Sequence, residues 1–416
     1  MKRKAGRSMR HVEPLLARIL IGVIVFWPFR IALSQESAIV NFEEKPGPHA
    51  VGVKVVEQYD KARNFGSASA PKSETARPLQ TLVWYPAQRG DQTAVTLGDY
   101  VALMDTETSY GKPQSTRDGD VLKTWLKASL GQSLSAVRDA SPEGGRFPVI
   151  IYSPSFSSWA WENADLCEYL ASYGYVVVSS PGMGETSRES THDLSGINAQ
   201  AQDVSFLITY AASLPDTDMS EVAAMGFSWG GLADLFAASG DSRVKALISL
   251  DGSERYFPGL VAASKTVHPD QMTIPLLYFE EGDQSLEDQD RLDSRFHAEG
   301  PSVLNQWTHG DLVTVRMLGL FHPEFSSIAY RNEELWEKEL PNLQVADYGR
   351  SDGIVGYAWV MRYTRAFLDF HLKQDATSGD FLQAAPSVNG VPKHTISVKL
   401  RRGTPIAGNT VEGQKK

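Results

Sequence analysis

A succession of short, unbroken apolar runs limits the fold of this chain more than any other feature. Phe147-Pro-Val-Ile-Ile-Tyr152, Tyr175-Val-Val-Val-Ser179, Val244-Lys-Ala-Leu-Ile-Ser-Leu250 and Ile274-Pro-Leu-Leu-Tyr-Phe279 each have the length of one strand and little polar alternation. A strand can be apolar on both faces only where both faces are covered. Between the runs lie stretches of helical periodicity, over about 160–173, about 197–213 and down to Ala238. A run over Leu312–Leu320 and an amphipathic helix over about 355–372 continue the pattern. Strands separated by helices imply parallel pairing through right-handed crossovers. The expected class is therefore α/β, a mostly parallel central sheet flanked by helices.

Upstream, Val51–Val56 and Gln80–Tyr85 read as two further strands, rich in β-branched and aromatic residues. Residues 98–146 are polar, with Gly and Asp, and are expected to form an insertion before the strand at 147–152. The main domain is expected to run from 35 to 379. Residues 380–416 read as a polar tail with one short strand at Thr395–Leu400.

The first 34 residues differ from the rest. They hold seven Lys/Arg and one Glu, so with the chain at −10 and this stretch at +6 the remainder carries −16. Basic residues from Lys2 to Arg18 precede the apolar run Ile19–Phe29, which is too short to span a bilayer comfortably. Ala32-Leu33-Ser34 before Gln35 has the small residues of a cleavage site. The expectation is an export signal, with an uncleaved N-terminal membrane anchor as the alternative. An acidic body of this kind repels phosphate backbones, which argues against nucleic-acid partners. Cys167 is the only cysteine, so neither an intrachain disulfide nor a cysteine-based metal site can form.

The chemistry concentrates at Gly226-Phe-Ser-Trp-Gly230, a G-x-S-x-G motif between the apolar segment Val222–Met225 and a helix. The bare pattern is common; strand before and helix after give it meaning. A sharp strand-to-helix turn would hold Ser228 in strained φ/ψ with its hydroxyl exposed, and bulk at 226 or 230 would collide with the turn. Ser228 is the candidate nucleophile. Two backbone N–H groups would stabilise an oxyanion there. Trp229 supplies one, and Phe156 in the loop Ser153-Pro-Ser-Phe-Ser-Ser-Trp159 supplies the other, since Pro154 has no N–H.

A base and an acid should follow the serine in chain order. Of nine histidines, His322 ends the last long apolar run and opens a loop, where this architecture presents a base. His309 lies in a polar loop before that run. Two carboxylates end strands on the same sheet edge, Asp251 and Asp283, and the residues alone leave the choice open.

These pieces resemble the platelet-activating-factor acetylhydrolase group of α/β-hydrolases, with dienelactone hydrolase a more distant likeness. The similarity rests on Arg77-Pro-Leu-Gln-Thr-Leu-Val-Trp-Tyr-Pro-Ala87, Phe147–Ser153, Tyr173-Gly-Tyr-Val-Val-Val178, the serine motif, Leu250-Asp-Gly252 and Phe321-His322. It implies the α/β-hydrolase fold and places the acid at Asp251, with Asp283 as the alternative. Where that group usually carries His-Gly, this chain has Pro154-Ser155.

The expected activity is that of a serine esterase for small or short-acyl carboxylic esters. An amidase, thioesterase or acyltransferase would use the same acyl-enzyme, and a non-catalytic binding protein on the same scaffold is a further alternative. No metal or cofactor is expected, because H-E-x-x-H, P-loop and dinucleotide signatures are absent. The expected partner is a small-molecule ester, and membrane contact is expected only through an N-terminal anchor.

Overall fold

In the computed structural model the described residues are 40, 42, 44–66, 76–114, 117–282, 300–332 and 349–406. They all belong to one unit, Ala38–Lys416. The first 34 residues, read above as an export signal, Asp283 and the last ten residues lie outside them.

Eleven strands of the described residues form one sheet. In chain order they are β1 (Ala50–Asn64), β2 (Ala76–Ala87), β3 (Ala94–Thr96), β4 (Ser133–Arg138), β5 (Phe147–Ser153) and β6 (Val176–Ser179). β7 (Thr217–Phe227), β8 (Val244–Leu250), β9 (Leu276–Glu281), β10 (Leu312–Met317) and β11 (Ile396–Arg401) complete it. The spatial order is β11-β10-β9-β8-β7-β5-β6-β2-β1-β4-β3. β5 through β10 are mutually parallel, while β2 is antiparallel to β6 and β11 to β10. This is the α/β-hydrolase fold.

The unbroken apolar strands have the expected cause. On β5, Val149 and Ile151 face one side and Ile150 and Tyr152 the other, all four fully buried. The helices Leu194–Ala211 and Trp229–Gly240 cover the first face through Ile197, Leu207 and Leu232. Ala164–Ser172 and Arg350–Lys373 cover the second through Leu166, Leu170, Val360 and Phe367. Each such side chain contributes roughly 1.5–3 kcal/mol on burial.

The stretch 98–146 does more than interrupt the chain. Its strand β4 pairs parallel with β1 and antiparallel with β3, which precedes the stretch, so this segment adds a strand near one edge of the sheet. A buried chain of hydrogen bonds ties it to the core: Trp84 Nε1 donates to Tyr100 Oη at 2.7 Å, and Tyr100 donates to Glu168 Oε1 at 2.7 Å. Glu168 Oε2 accepts from the N–H groups of Ser135 and Ala136. Towards the C-terminus, the described residues carry structure as far as Arg401, including a strand where one was expected. Ala376–Gln383 is helical, and β11 pairs with β10 over Ile396–Arg401, because alternate residues of that strand bury against the sheet edge. Among the described residues no helix is long and apolar enough to cross a membrane.

The chain runs from β5 to β6 on one side, then crosses back to place β7 on the other side of β5. The carboxyl ends of β5 and β7, paired at Ser153 and Gly226, therefore flank a topological switch point. Crevices at such points are where open α/β sheets bind ligands.

Candidate active site

Ser228 joins β7 to the helix Trp229–Gly240 with φ 54° and ψ −119°. A non-glycine residue in this region is strained by about 1–3 kcal/mol, and the surrounding backbone must hold it. It does so through three bonds: Ser228 N–H donates to Leu250 O, while Ser228 O accepts from Gly231 and Ser253. Glycine is required on either side. A Cβ at 226 would meet the Gly230 carbonyl, and one at 230 would meet the carbonyl oxygens of Ser153 and Pro154.

His322 opens a 3₁₀ turn, His322–Phe325, shortly after β10. Its Nε2 lies 2.8 Å from Ser228 Oγ and its Nδ1 2.5 Å from Asp251 Oδ2. Asp251 directly follows β8, with φ 46° and no solvent exposure. Its N–H donates to Phe279 O, and its Oδ1 accepts from Glu281 N–H at 3.1 Å and from the Tyr256 hydroxyl at 3.2 Å. Burial disfavours the imidazolium, but the hydrogen bond and charge of Asp251, with Glu281 and Glu162 further off, outweigh it and raise the His322 pKa. The arrangement is that of a hydroxyl, a base able to take its proton, and an acid that fixes the tautomer of the base.

The structure thus brings Ser228, His322 and Asp251 together. His309 stands elsewhere, with Nδ1 2.6 Å from Thr404 O. Asp283 is outside the described residues. Two groups at this site escaped the sequence reading. Glu281 accepts from the backbone N–H of His322 at 2.8 Å, and burial followed by the charge of Asp251 raises its pKa. Its position in Phe279-Glu-Glu-Gly-Asp283, beside the alternative acid, was the available signal. Tyr256 carried no signal beyond its aromatic character.

The Phe156 and Trp229 N–H groups have no hydrogen-bond partner among the described residues, as donors awaiting an oxyanion would not. Trp229 opens its helix, so the helix N-terminus also favours negative charge there. Beneath the oxyanion loop lies Glu162, likewise missed from sequence. It accepts from Ser155 N–H at 2.8 Å and from the hydroxyls of Ser155 at 2.5 Å and Ser158 at 2.7 Å. Burial raises its pKa against these bonds, which favour its charged form. Ser155 thereby anchors the loop to a buried carboxylate.

Beside this loop the Phe156 ring stacks on His192 at 3.8 Å, and the edge of Trp229 meets Phe156, His192 and Phe257 at 5.4–5.6 Å. Burial lowers the His192 pKa, partly offset by Asp193, so the ring is neutral near pH 7. Of the other aromatic residues around the motifs, Trp161 and Phe227 are core. Among the described residues no group of three or more His, Cys, Asp or Glu side chains could hold a metal ion.

Fold and site define a serine hydrolase of the α/β-hydrolase class. The sequence profile of the X-Pro dipeptidyl-peptidase (S15) family matches residues 78–338, well over half of the chain, and the chain belongs to that family. This corrects the finer expectation, since the family found is not the platelet-activating-factor acetylhydrolase group. A solved ferulic acid esterase from Streptomyces cinnamoneus shares the fold with a TM-score of 0.60 at 17% identity, covering 88% of this chain and 100% of the esterase chain. No curated protein matches in sequence.

Proposed function

We propose that the protein hydrolyses carboxylic esters of small or short acyl groups through an acyl-enzyme on Ser228. The observation that carries this reading is the hydrogen-bonded line from Asp251 through His322 to Ser228. His322 takes the hydroxyl proton as Ser228 Oγ attacks the ester carbonyl, and the Phe156 and Trp229 N–H groups receive the oxyanion. Collapse expels the alcohol, protonated by His322. The same base then activates water to release the acid. The uncharged surface of Phe156, His192 and Phe257, backed by the buried Trp229 ring, suits an apolar acyl or alkoxy group beside the serine.

The family's description favours a second reading, cleavage of a peptide bond after an X-Pro pair. An enzyme removing dipeptides must also recognise a free ammonium group, which calls for a carboxylate facing the substrate. Glu281, Glu162 and Asp251 already serve His322 and the oxyanion loop. Fluorophosphonate labelling with mass-spectrometric location of the adduct tests the acyl-enzyme, which requires modification of Ser228. Parallel kinetics on p-nitrophenyl acetate and Ala-Pro-p-nitroanilide separate the two bonds: a larger kcat/KM for the anilide would overturn the ester assignment.

For the N-terminal segment we propose export, with cleavage after Ser34 or retention as an anchor. N-terminal sequencing of native material decides, and a soluble cytoplasmic form retaining Met1 would refute both.

A further inference from the structure

The oxyanion loop is gripped from above as well as from below. Arg188, in the loop after β6, directs its guanidinium onto three carbonyls: Nη1 donates to Ser157 O at 3.0 Å and Gly182 O at 3.1 Å, and Nη2 to Ser158 O at 3.1 Å. Its Nε donates to Glu107 Oε2 at 2.6 Å. Glu107 is buried and comes from the stretch between β3 and β4, so two segments remote from the serine motif meet on this loop.

The contacts bear on one peptide plane. Ser155 O accepts from Ser158 N–H at 3.0 Å, closing a β-turn around Phe156 and Ser157. The third residue, Ser157, has φ 52°, a conformation that serine adopts reluctantly. The Ser155 carbonyl and the Phe156 N–H share a peptide, so tying the first to Ser158 aims the second away from the turn. Ser158 is itself held by Arg188 at its carbonyl and by Glu162 at its hydroxyl. Ser157 is held by Arg188 at its carbonyl and by Ser190 N–H at its hydroxyl, 2.8 Å away. Ser155, Ser157 and Ser158 are each pinned in this way, and the Phe156 N–H has no partner among the described residues.

We infer that Arg188, with Glu107 as its counter-ion, is a positioning residue that orients the Phe156 N–H as an oxyanion donor. The inference rests on the acyl-enzyme reading and deepens it, giving the segment between β3 and β4 a part in transition-state stabilisation. Preorganised donors act only on the charge that develops in the transition state. Loss of Arg188 should therefore appear in kcat and in the binding of tetrahedral analogues, with KM little changed.

The test compares the full-length wild type with Arg188→Met, Arg188→Lys and Glu107→Gln. The readouts are kcat and KM on p-nitrophenyl acetate, Ki of a small alkylboronic acid that forms a tetrahedral adduct on serine, and the melting temperature. One oxyanion donor contributes about 10²–10³-fold, and a misaimed one forfeits part of that. Arg188→Met should lower kcat about 10- to 100-fold, raise the boronate Ki by a similar factor and leave KM within about threefold. Arg188→Lys, which keeps the charge but cannot reach three carbonyls at once, should fall between Met and wild type. Glu107→Gln should cost kcat a few-fold. A folded Arg188→Met with wild-type kcat, or with its loss confined to KM, overturns the inference. If Arg188→Met does not fold, a folded Arg188→Lys with wild-type kcat and boronate Ki overturns it equally. Failure of the wild type to bind the boronate would instead refute the acyl-enzyme reading.

Discussion

His322 is held by two carboxylates at once: Asp251 at Nδ1, 2.5 Å away, and Glu281 at the backbone N–H, 2.8 Å away. Glu281 in turn donates its own N–H to Asp251 Oδ1, and the Tyr256 hydroxyl lies near both acids. The ring is therefore fixed in tautomer by one acid and in place by the other. Negative charge close to the ring also explains why its pKa rises despite burial.

The two acids should separate in kinetics. Asp251→Asn leaves His322 in the wrong tautomer and should lower kcat by about 10³–10⁴. Glu281→Gln keeps the hydrogen-bond acceptor and should cost far less. By removing charge from beside the imidazolium it should move the acid limb of the kcat/KM profile to lower pH. Asp283→Asn is expected to be mild. A crippling Asp283→Asn with an active Asp251→Asn would reverse the assignment of the acid.

Ser228→Ala should abolish turnover of p-nitrophenyl acetate with the fold intact. Ser228→Gly should be equally inactive yet more stable than wild type by about 1 kcal/mol, because φ 54° with ψ −119° strains every residue but glycine. Urea unfolding of both variants checks this. A Ser228→Gly protein less stable than Ser228→Ala would show that the elbow stores no strain.

Gly230→Ala forces a methyl group against two carbonyl oxygens of the neighbouring strand end, at Ser153 and Pro154. Backbone cannot step aside as a flexible side chain can. The variant should lose about 2–3 kcal/mol of stability and most of its activity. Gly240→Ala, in open space at the far end of the same helix, is the control and should change neither.

Stability should fall as pH rises from 6.5 to 9. Burial is the chief cause that pushes Glu168 and Glu254 up to about 7 and Glu324 to about 8, from an ordinary value of 4.5. Between those limits the folded chain binds more protons than the unfolded one. The stability these groups provide is complete below 4.5 and lost as pH passes through 7–8. His371, held down to about 4 mainly by burial, acts in the opposite sense, but its effect is complete above 6.5. Calorimetry across this range should show a declining melting temperature, with a shallower decline in Glu168→Gln. A flat or rising profile would contradict the assignment.

The features legible in the sequence are those encoded locally. Apolar runs of strand length announced β5, β6, β8 and β9, because a two-sided core leaves an unalternating pattern in each strand by itself. The elbow was legible because its motif falls within five consecutive residues, and Ser228, His322 and both candidate acids could be named from strand ends. The tertiary structure alone decided which of them meet. His322 reaches Asp251 across 71 residues of chain and Ser228 across 94, and no short window of sequence carries those separations. It also decided that Glu162, Glu281 and the Arg188–Glu107 pair converge on the site. A buried carboxylate reads in sequence like any exposed one. What distinguishes it is the set of donors folded around it, and those come from segments brought together only when the sheet closes over its switch point.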